Sequence, residues 1–111
     1  MIMKKLVTLG IVGLALAIVP TLRAADVKAL YEKECAKCHG TDGKGDTKMG
    51  KKVGVQDYTD AKVQGKMKDD EMAKIIKEGK KDGDKTKMKA FDSLSDEEVK
   101  ALVAYIRAFK K

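Results

Sequence analysis

The sequence predicts an all-α fold of three main helices. Apolar residues recur at helical spacing in three segments, and no stretch of the chain has the strict apolar/polar alternation of a strand. Glycine-rich and lysine-rich segments separate the three helices and are expected to be loops. With 111 residues, the chain is long enough for one domain.

The first helix is expected to start at Asp26 as its cap and to run into Cys35 and Cys38. Residues 40–54 are rich in glycine and lysine and predict a loop, followed by a short helical turn around residues 57–63. The apolar face of the first helix would comprise Val27, Leu30 and Tyr31.

The second helix is indicated by "KDDEMAKIIKEG", with acidic residues at its start and Gly79 as its C-terminal cap. The third helix has a capping box, with Ser95 as the N-cap and Glu98 three residues later. A lysine-rich loop that contains Met88 is expected between them. The core faces of these two helices would be formed by Met72, Ile75, Ile76, Leu102, Val103, Ile106 and Phe109.

Residues 1–24 have the layout of a secretory signal peptide. Lysines precede an apolar run over residues 6–19, and small residues offer cleavage after Ala24 or Ala25. The run is shorter than the roughly 20 apolar residues of a membrane-spanning helix. We therefore expect export to the periplasm and a mature domain over residues 25–111 without stable membrane insertion; the alternative is an uncleaved segment that tethers the protein to the membrane.

The mature chain is basic and has little material for a core. Removing Lys4, Lys5 and Arg23 lowers the formal net charge from +7 to +4, and the chain has no Trp, two Phe and three Tyr. Domains below about 70–80 residues usually need disulfides, a metal or a cofactor, and the mature chain lies just above that size. An exported protein without aromatic residues among its basic ones does not suggest nucleic-acid binding.

Both cysteines and the single histidine lie within five positions, as Cys35, Cys38 and His39. A structural zinc site needs four ligands, and no second ligand pair exists. A thioredoxin-like dithiol would need βαβ units around it. A disulfide between Cys35 and Cys38 would close a very short loop and leave His39 unexplained.

The pattern Cys-x-x-Cys-His is instead typical of covalent haem attachment. Cys35 and Cys38 would each form a thioether with the same porphyrin, and His39 would be the proximal ligand of the iron. Export agrees with this interpretation, because covalent attachment prevents loss of the cofactor from an open compartment.

No second histidine is available as the sixth ligand of the iron, so methionine, a weaker donor or an open position remains. Met88 is favoured, because it lies in the loop before the last helix. Met72 falls on an apolar helix face and is better explained as core. Met49 and Met67 would reach a haem only by tight loop geometry.

The order of "LYEKECAKCHGTDGKG", "DDEMAKIIKEG", "KTKMKAF" and "LSDEEVKALVAYIR" resembles that of small bacterial class I cytochromes c over nearly the whole mature chain. The resemblance implies a small cytochrome c fold with crossed N- and C-terminal helices around one covalent haem c. It implies Cys35 and Cys38 as thioether residues, His39 as proximal iron ligand and Met88 as distal iron ligand. The crossing would bring Leu30 and Tyr31 near Leu102 and Tyr105.

The chain departs from the family pattern in its prolines. Lys89 follows Met88 where members often have proline, and the mature chain has none. Ala90 and Phe91 still match the pattern, so the Met88 assignment stands. The backbone carbonyl that would orient the His39 ring is left open.

These features predict a monomeric electron carrier, not an enzyme, that exchanges single electrons with larger redox proteins. The surface lysines are either a positive rim that steers acidic docking surfaces or a solvated surface balanced by neighbouring carboxylates. The alternatives are a five-coordinate haem that binds gases or reduces peroxide, and a docking subunit with a permanent partner. The lysines in question are Lys44, Lys48, Lys51, Lys52, Lys85, Lys87 and Lys89.

Overall fold

The computed structural model describes Gly10, Gly13 and residues 22–111, so most of the predicted signal peptide lies outside the described residues. None of the helices in the described part is long and apolar enough to cross a membrane. The elements are α1 Ala24–Glu34, α2 Ala36–His39, α3 Lys48–Val53, α4 Ala61–Lys66, α5 Asp69–Glu78, β1 Lys80–Asp82, β2 Lys85–Met88 and α6 Asp96–Arg107. The three predicted main helices are α1, α5 and α6, which confirms the mainly helical fold.

The core forms where α1 and α5 both pack against α6. Most residues predicted for the core faces are buried there, whereas Leu30, Ile75 and Phe109 are only half-buried. Burying a large aliphatic or aromatic side chain contributes roughly 1.5–3 kcal/mol, so this small set supplies much of the folding free energy. The buried apolar residues are Val27, Tyr31, Cys35, Met72, Ile76, Val99, Leu102, Val103 and Ile106.

Aromatic side chains fill the contact between α1 and α6. The Tyr31 ring is fully buried, and its centroid lies 4.8 Å from that of Tyr105 and 5.3 Å from that of Phe109. The predicted proximity of Tyr31 and Tyr105 is therefore confirmed. The Tyr31 hydroxyl also donates a 2.7 Å hydrogen bond to the carbonyl of Gly40, which ties this aromatic cluster to the residue after His39.

The capping box of α6 is confirmed, but the predicted cap of α1 is wrong. The Glu98 N–H donates to Ser95 Oγ at 3.1 Å, and the Ser95 N–H donates to Glu98 Oε1 at 3.0 Å. In α1 the N-cap is Arg23, because its carbonyl already accepts the N–H of Asp26 at 3.0 Å. Asp26 lies in the first turn instead, where its negative charge interacts favourably with the positive end of the helix dipole.

The predicted loop over residues 40–54 contains α3. Thr47 caps this helix by accepting the Gly50 N–H at 2.8 Å. The helical turn expected around residues 57–63 occurs slightly later, as α4, with Asp60 accepting the Lys62 N–H at 2.8 Å. Both helices have six residues, which is too short for apolar periodicity to show in the sequence.

The expected loop without strands before α6 is wrong, because β1 and β2 form an antiparallel hairpin there. Every residue of β1 is exposed, so the strand needs no apolar face and gives no alternating pattern. Gly79 ends α5 with φ +78°, and a Cβ at this residue would lie 2.6 Å from the Met88 carbonyl oxygen. The Phe91 N–H donates to the Ile76 carbonyl at 2.9 Å, so the base of the hairpin packs directly on the end of α5.

Candidate cofactor site

One cavity of about 840 Å³ has all four predicted site residues on its wall: Cys35, Cys38, His39 and Met88. They come from the α1–α2 junction and from the end of β2, which are far apart in the sequence. Pockets for small molecules and cofactors are roughly 300–1,000 Å³, so the cavity has the size of a cofactor site.

The single turn of α2 presents the motif residues to this cavity. The Cys35 N–H donates to the Tyr31 carbonyl at 2.8 Å, and the His39 N–H donates to the Cys35 carbonyl at 3.0 Å, so the turn continues directly from α1. Both thiols are free. Burial, with the charge of Glu34 adding to it, raises the pKa of the Cys35 thiol to about 11, so this thiol is neutral at neutral pH.

Helix α3 supports the motif from behind. The Thr47 hydroxyl donates to the Cys38 carbonyl at 2.7 Å, and the Gly45 N–H donates to the His39 carbonyl at 2.8 Å. Gly50 is buried against the same carbonyl of Cys38, and a Cβ there would also lie 2.6 Å from the Gly45 carbonyl oxygen. The backbone of the motif is therefore held by close contact with α3.

The His39 side chain is suited to bind a metal. Burial lowers the pKa of its imidazole, so the ring is neutral at neutral pH and a nitrogen lone pair is free to bind a metal. Its ring lies nearly parallel to that of Tyr58, with an interplanar angle of 19° and centroids 4.9 Å apart. Nδ1 is buried and has no hydrogen-bond partner among the described residues, so no carbonyl there orients the ring.

Four methionines line the cavity: Met49, Met67, Met72 and Met88. Met72 is 8% exposed and belongs to the core, in agreement with its interpretation as core. Met49 and Met67 reach the cavity although their loop positions made this unexpected. The cavity wall does not distinguish Met88 from these two, so its assignment as a ligand depends on the resemblance.

The donor set fits a covalently attached haem. Two free thiols, a neutral imidazole and thioether sulfurs share one cavity, and the nearby apolar side chains of Val53, Val55, Ile75 and Phe91 also line it. Cys35 and Cys38 would hold the porphyrin, and His39 with one methionine would bind its iron.

Lysines dominate the charged part of the cavity wall. Eight lysines and three carboxylates line it. Among the lysines expected from the sequence, only Lys87 and Lys89 are on the wall. The other six lysines of the wall come from α1, α2, the end of α4, the α4–α5 connection and β1, which the fold brings together: Lys33, Lys37, Lys66, Lys68, Lys80 and Lys81.

A polar network that sequence analysis missed lies behind Tyr58. Gln64 is 3% exposed, and its side-chain amide donates to the carbonyls of Tyr58 at 2.7 Å and Ile106 at 3.0 Å. The Arg107 guanidinium donates to the Gln64 carbonyl at 2.6 Å and to Gln64 Oε1 at 3.1 Å. A lone glutamine in a short helix carries no pattern that would have indicated this contact.

Comparison with known proteins agrees with the site. The family model described as "Cytochrome C oxidase, cbb3-type, subunit III" matches residues 22–106. The solved structure "KustC0563 c-type cytochrome" is 39% identical, with a TM-score of 0.68, and the match covers 76% of this chain and 96% of that chain. A structure of a tyrosine-to-phenylalanine mutant of Kustc0563 is 37% identical, with a TM-score of 0.66 and coverage of 77% and 99%. The comparison with curated proteins gave no match.

The family match spans most of this chain, and the match to the solved c-type cytochrome covers nearly the whole length of that cytochrome. The helical fold, the Cys-x-x-Cys-His motif and the cavity therefore have a common explanation. The chain belongs to the family of cbb3-type cytochrome c oxidase subunit III and is a small monohaem c-type cytochrome, an electron-transfer protein with covalently bound haem c.

Proposed function

We propose that this cytochrome is an electron carrier in which Cys35 and Cys38 form the thioethers and His39 and Met88 are the two axial ligands of the iron. The observation that supports it is that these four side chains line one cavity. The haem supplies one-electron exchange between ferric and ferrous iron. The chain holds its ligands in place, and a methionine ligand raises the reduction potential.

The ligand set favours a carrier over an enzyme. With both axial positions filled, the iron has no open site for a substrate. His39 is the only histidine in the sequence, so no other imidazole is left to act as an acid or base beside the haem.

The lysines on the cavity wall suggest how partners are recognised. Glu34 is the carboxylate nearest to two of them, with its oxygens 3.9 Å from Lys33 Nζ and 3.8 Å from Lys89 Nζ. The lysine excess over carboxylates gives this face a positive potential, which steers acidic surfaces of larger redox proteins during encounter. A carrier of this kind works as a monomer that binds its partners transiently.

The location follows from the N-terminal segment. Residues 1–24 act as a signal peptide that is cleaved after Ala24 or Ala25, and the mature cytochrome works in the periplasm. An uncleaved segment would tether the same domain to the membrane, and the mass of the purified protein distinguishes the two cases.

The ligation is tested by visible absorption spectra of the haem-loaded protein, oxidised and reduced. Wild type is compared with Met88→Ala and with three matched controls, Met49→Ala, Met67→Ala and Met72→Ala. We expect a low-spin ferric spectrum with a weak red band from methionine ligation that is lost in Met88→Ala alone.

Other outcomes have distinct meanings. Loss of the red band in Met49→Ala or Met67→Ala, with the band intact in Met88→Ala, would move the ligand to that methionine and keep the carrier function. A high-spin wild-type spectrum that shifts with carbon monoxide or peroxide would contradict the carrier proposal and favour a ligand-binding haem.

A further inference from the structure

The His39 imidazole lacks the contact that usually fixes the rotation of a ligating histidine. Such a histidine normally donates its second ring nitrogen to a carbonyl or carboxylate, which sets the orientation of the ring. His39 Nδ1 is buried without such a partner in the described part of the chain. The torsion that rotates an imidazole has broad minima, so another contact has to restrict it.

We propose that Tyr58 is a positioning residue whose ring fixes the orientation of the His39 imidazole, and that Gln64 holds Tyr58 in place. The two rings lie nearly parallel, at 19°, with centroids 4.9 Å apart. Rotation of the imidazole away from this angle would drive its edge toward the face of the Tyr58 ring. Offset stacking of this kind is a favoured arrangement of aromatic rings.

Tyr58 is itself fixed through its backbone on both sides. Its N–H donates to the Gly43 carbonyl at 2.8 Å, in the loop that follows the haem motif. Its carbonyl accepts the side-chain amide of Gln64 at 2.7 Å. The same amide nitrogen donates to the Ile106 carbonyl at 3.0 Å, so Gln64 connects Tyr58 to the long helix α6.

Arg107 fixes which way the Gln64 amide points. A guanidinium has only donors, so it requires the oxygen of the amide, and Arg107 Nη1 contacts Gln64 Oε1 at 3.1 Å. The amide nitrogen then has to face Tyr58 and Ile106. Arg107 further donates to the Met67 carbonyl at 2.6 Å and to Asp69 Oδ1 at 2.8 Å, which ties the whole segment to α6.

This proposal rests on the proposed ligation of the iron by His39. Two measurements on the haem-loaded protein separate the orientation of the His39 ring from the presence of the ligand. The plane of the axial imidazole, together with the orientation of the methionine sulfur, determines the order of the haem methyl resonances in the NMR spectrum of the ferric protein. The absorption spectrum independently reports whether the ligands are bound. A ring that turns on its axis changes the first readout and leaves the second unchanged.

The test compares haem-loaded Tyr58→Phe, Tyr58→Leu and Gln64→Leu with wild type. Tyr58→Phe keeps the ring and is expected to keep the wild-type order of methyl resonances. Tyr58→Leu removes the ring, and Gln64→Leu removes the hydrogen bond that holds Tyr58 in place. Both variants are therefore expected to change the order of the methyl resonances while the low-spin absorption spectrum persists. Tyr105→Leu is the matched control, since it removes a half-buried tyrosine ring that lies outside the cavity wall; it should lower the thermal midpoint and keep the order.

A wild-type order of resonances in Tyr58→Leu would overturn the proposal, and so would the same change in Tyr58→Phe as in Tyr58→Leu. If Tyr58→Leu does not accumulate with haem, Gln64→Leu decides, and a wild-type order there overturns the role of Gln64. A wild-type protein without a low-spin spectrum would instead contradict the proposed ligation of the iron by His39 and a methionine.

Discussion

The close contact between α3 and the haem motif predicts a strong effect of Gly50→Ala. A methyl group at Gly50 would run into the Cys38 carbonyl and would lie 2.6 Å from the Gly45 carbonyl oxygen and 2.8 Å from Thr47 Oγ1. The first two are backbone atoms that cannot rotate away, so α3 has to move from the motif. Overpacking of this kind costs about 1–3 kcal/mol.

A second glycine provides a matched control. Gly65 lies in α4, also a helix of six residues, and a Cβ there meets nothing within 4 Å. Alanine is favoured over glycine in a helix by about 0.5–1 kcal/mol. The same substitution is therefore expected to stabilise at Gly65 and to destabilise at Gly50. Because the methyl group at Gly50 meets two backbone oxygens, we take the upper part of the steric range, about 2–3 kcal/mol, which outweighs the helix preference by about 1–2 kcal/mol.

Thermal and urea unfolding of the haem-loaded proteins measure the difference. For a domain of this size, 1 kcal/mol shifts the midpoint by about 4–8 °C. We expect the midpoint of Gly50→Ala to fall by roughly 5–15 °C and that of Gly65→Ala to rise by a few degrees. A Gly50→Ala protein as stable as wild type, or equal losses in both variants, would refute the argument from close packing.

Two further predictions each test a single contact. Tyr31→Phe removes the donor to the buried Gly40 carbonyl and is expected to lower the free energy of unfolding by about 1–3 kcal/mol. Tyr105→Phe removes a hydroxyl that makes no hydrogen bond to the described residues and should change it by less than about 0.5 kcal/mol; equal losses in urea unfolding would contradict this. The Lys77 ammonium lowers the pKa of Asp96 by a hydrogen bond and by its charge. The stabilisation of the folded state by this pair is therefore present above the ordinary carboxyl pKa and is lost as the pH falls through the lowered pKa of Asp96. In Lys77→Met the pKa of Asp96 should rise toward its ordinary value in an NMR titration, and an unchanged pKa would show that Lys77 is not the cause.

Local signals explain which elements could be predicted. The capping box of α6 acts between residues three apart, so sequence is sufficient to find it. The start of α1 was misplaced, because the carbonyl of Arg23 accepts helical hydrogen bonds without any side-chain cap to indicate it. The sequence does not predict the hairpin, because β1 is wholly exposed and therefore has no buried face that would give an alternating apolar pattern.

The candidate site divides in the same way. Cys35, Cys38 and His39 form a contiguous motif, so their common role could be inferred before any fold was known. The stacking of Tyr58 on His39 depends on contacts with α6, more than 40 residues away, that only the folded chain creates. The lysines of the cavity wall likewise come from separate elements. Lys87 and Lys89, which flank Met88 in sequence, are among them, whereas the lysines that follow the haem motif are not.

The hairpin combines a fixed base with an unconstrained tip. At the base, Gly79 and Met88 are in backbone contact, and a side chain at Gly79 would displace the strand. At the tip, Gly83 faces open space and β1 is wholly exposed. Insertions and charge changes between Asp82 and Lys85 therefore alter the rim of the cavity without moving Met88. The tip is therefore expected to tolerate changes that alter contacts with a partner and leave the cavity wall around His39 and Met88 unchanged.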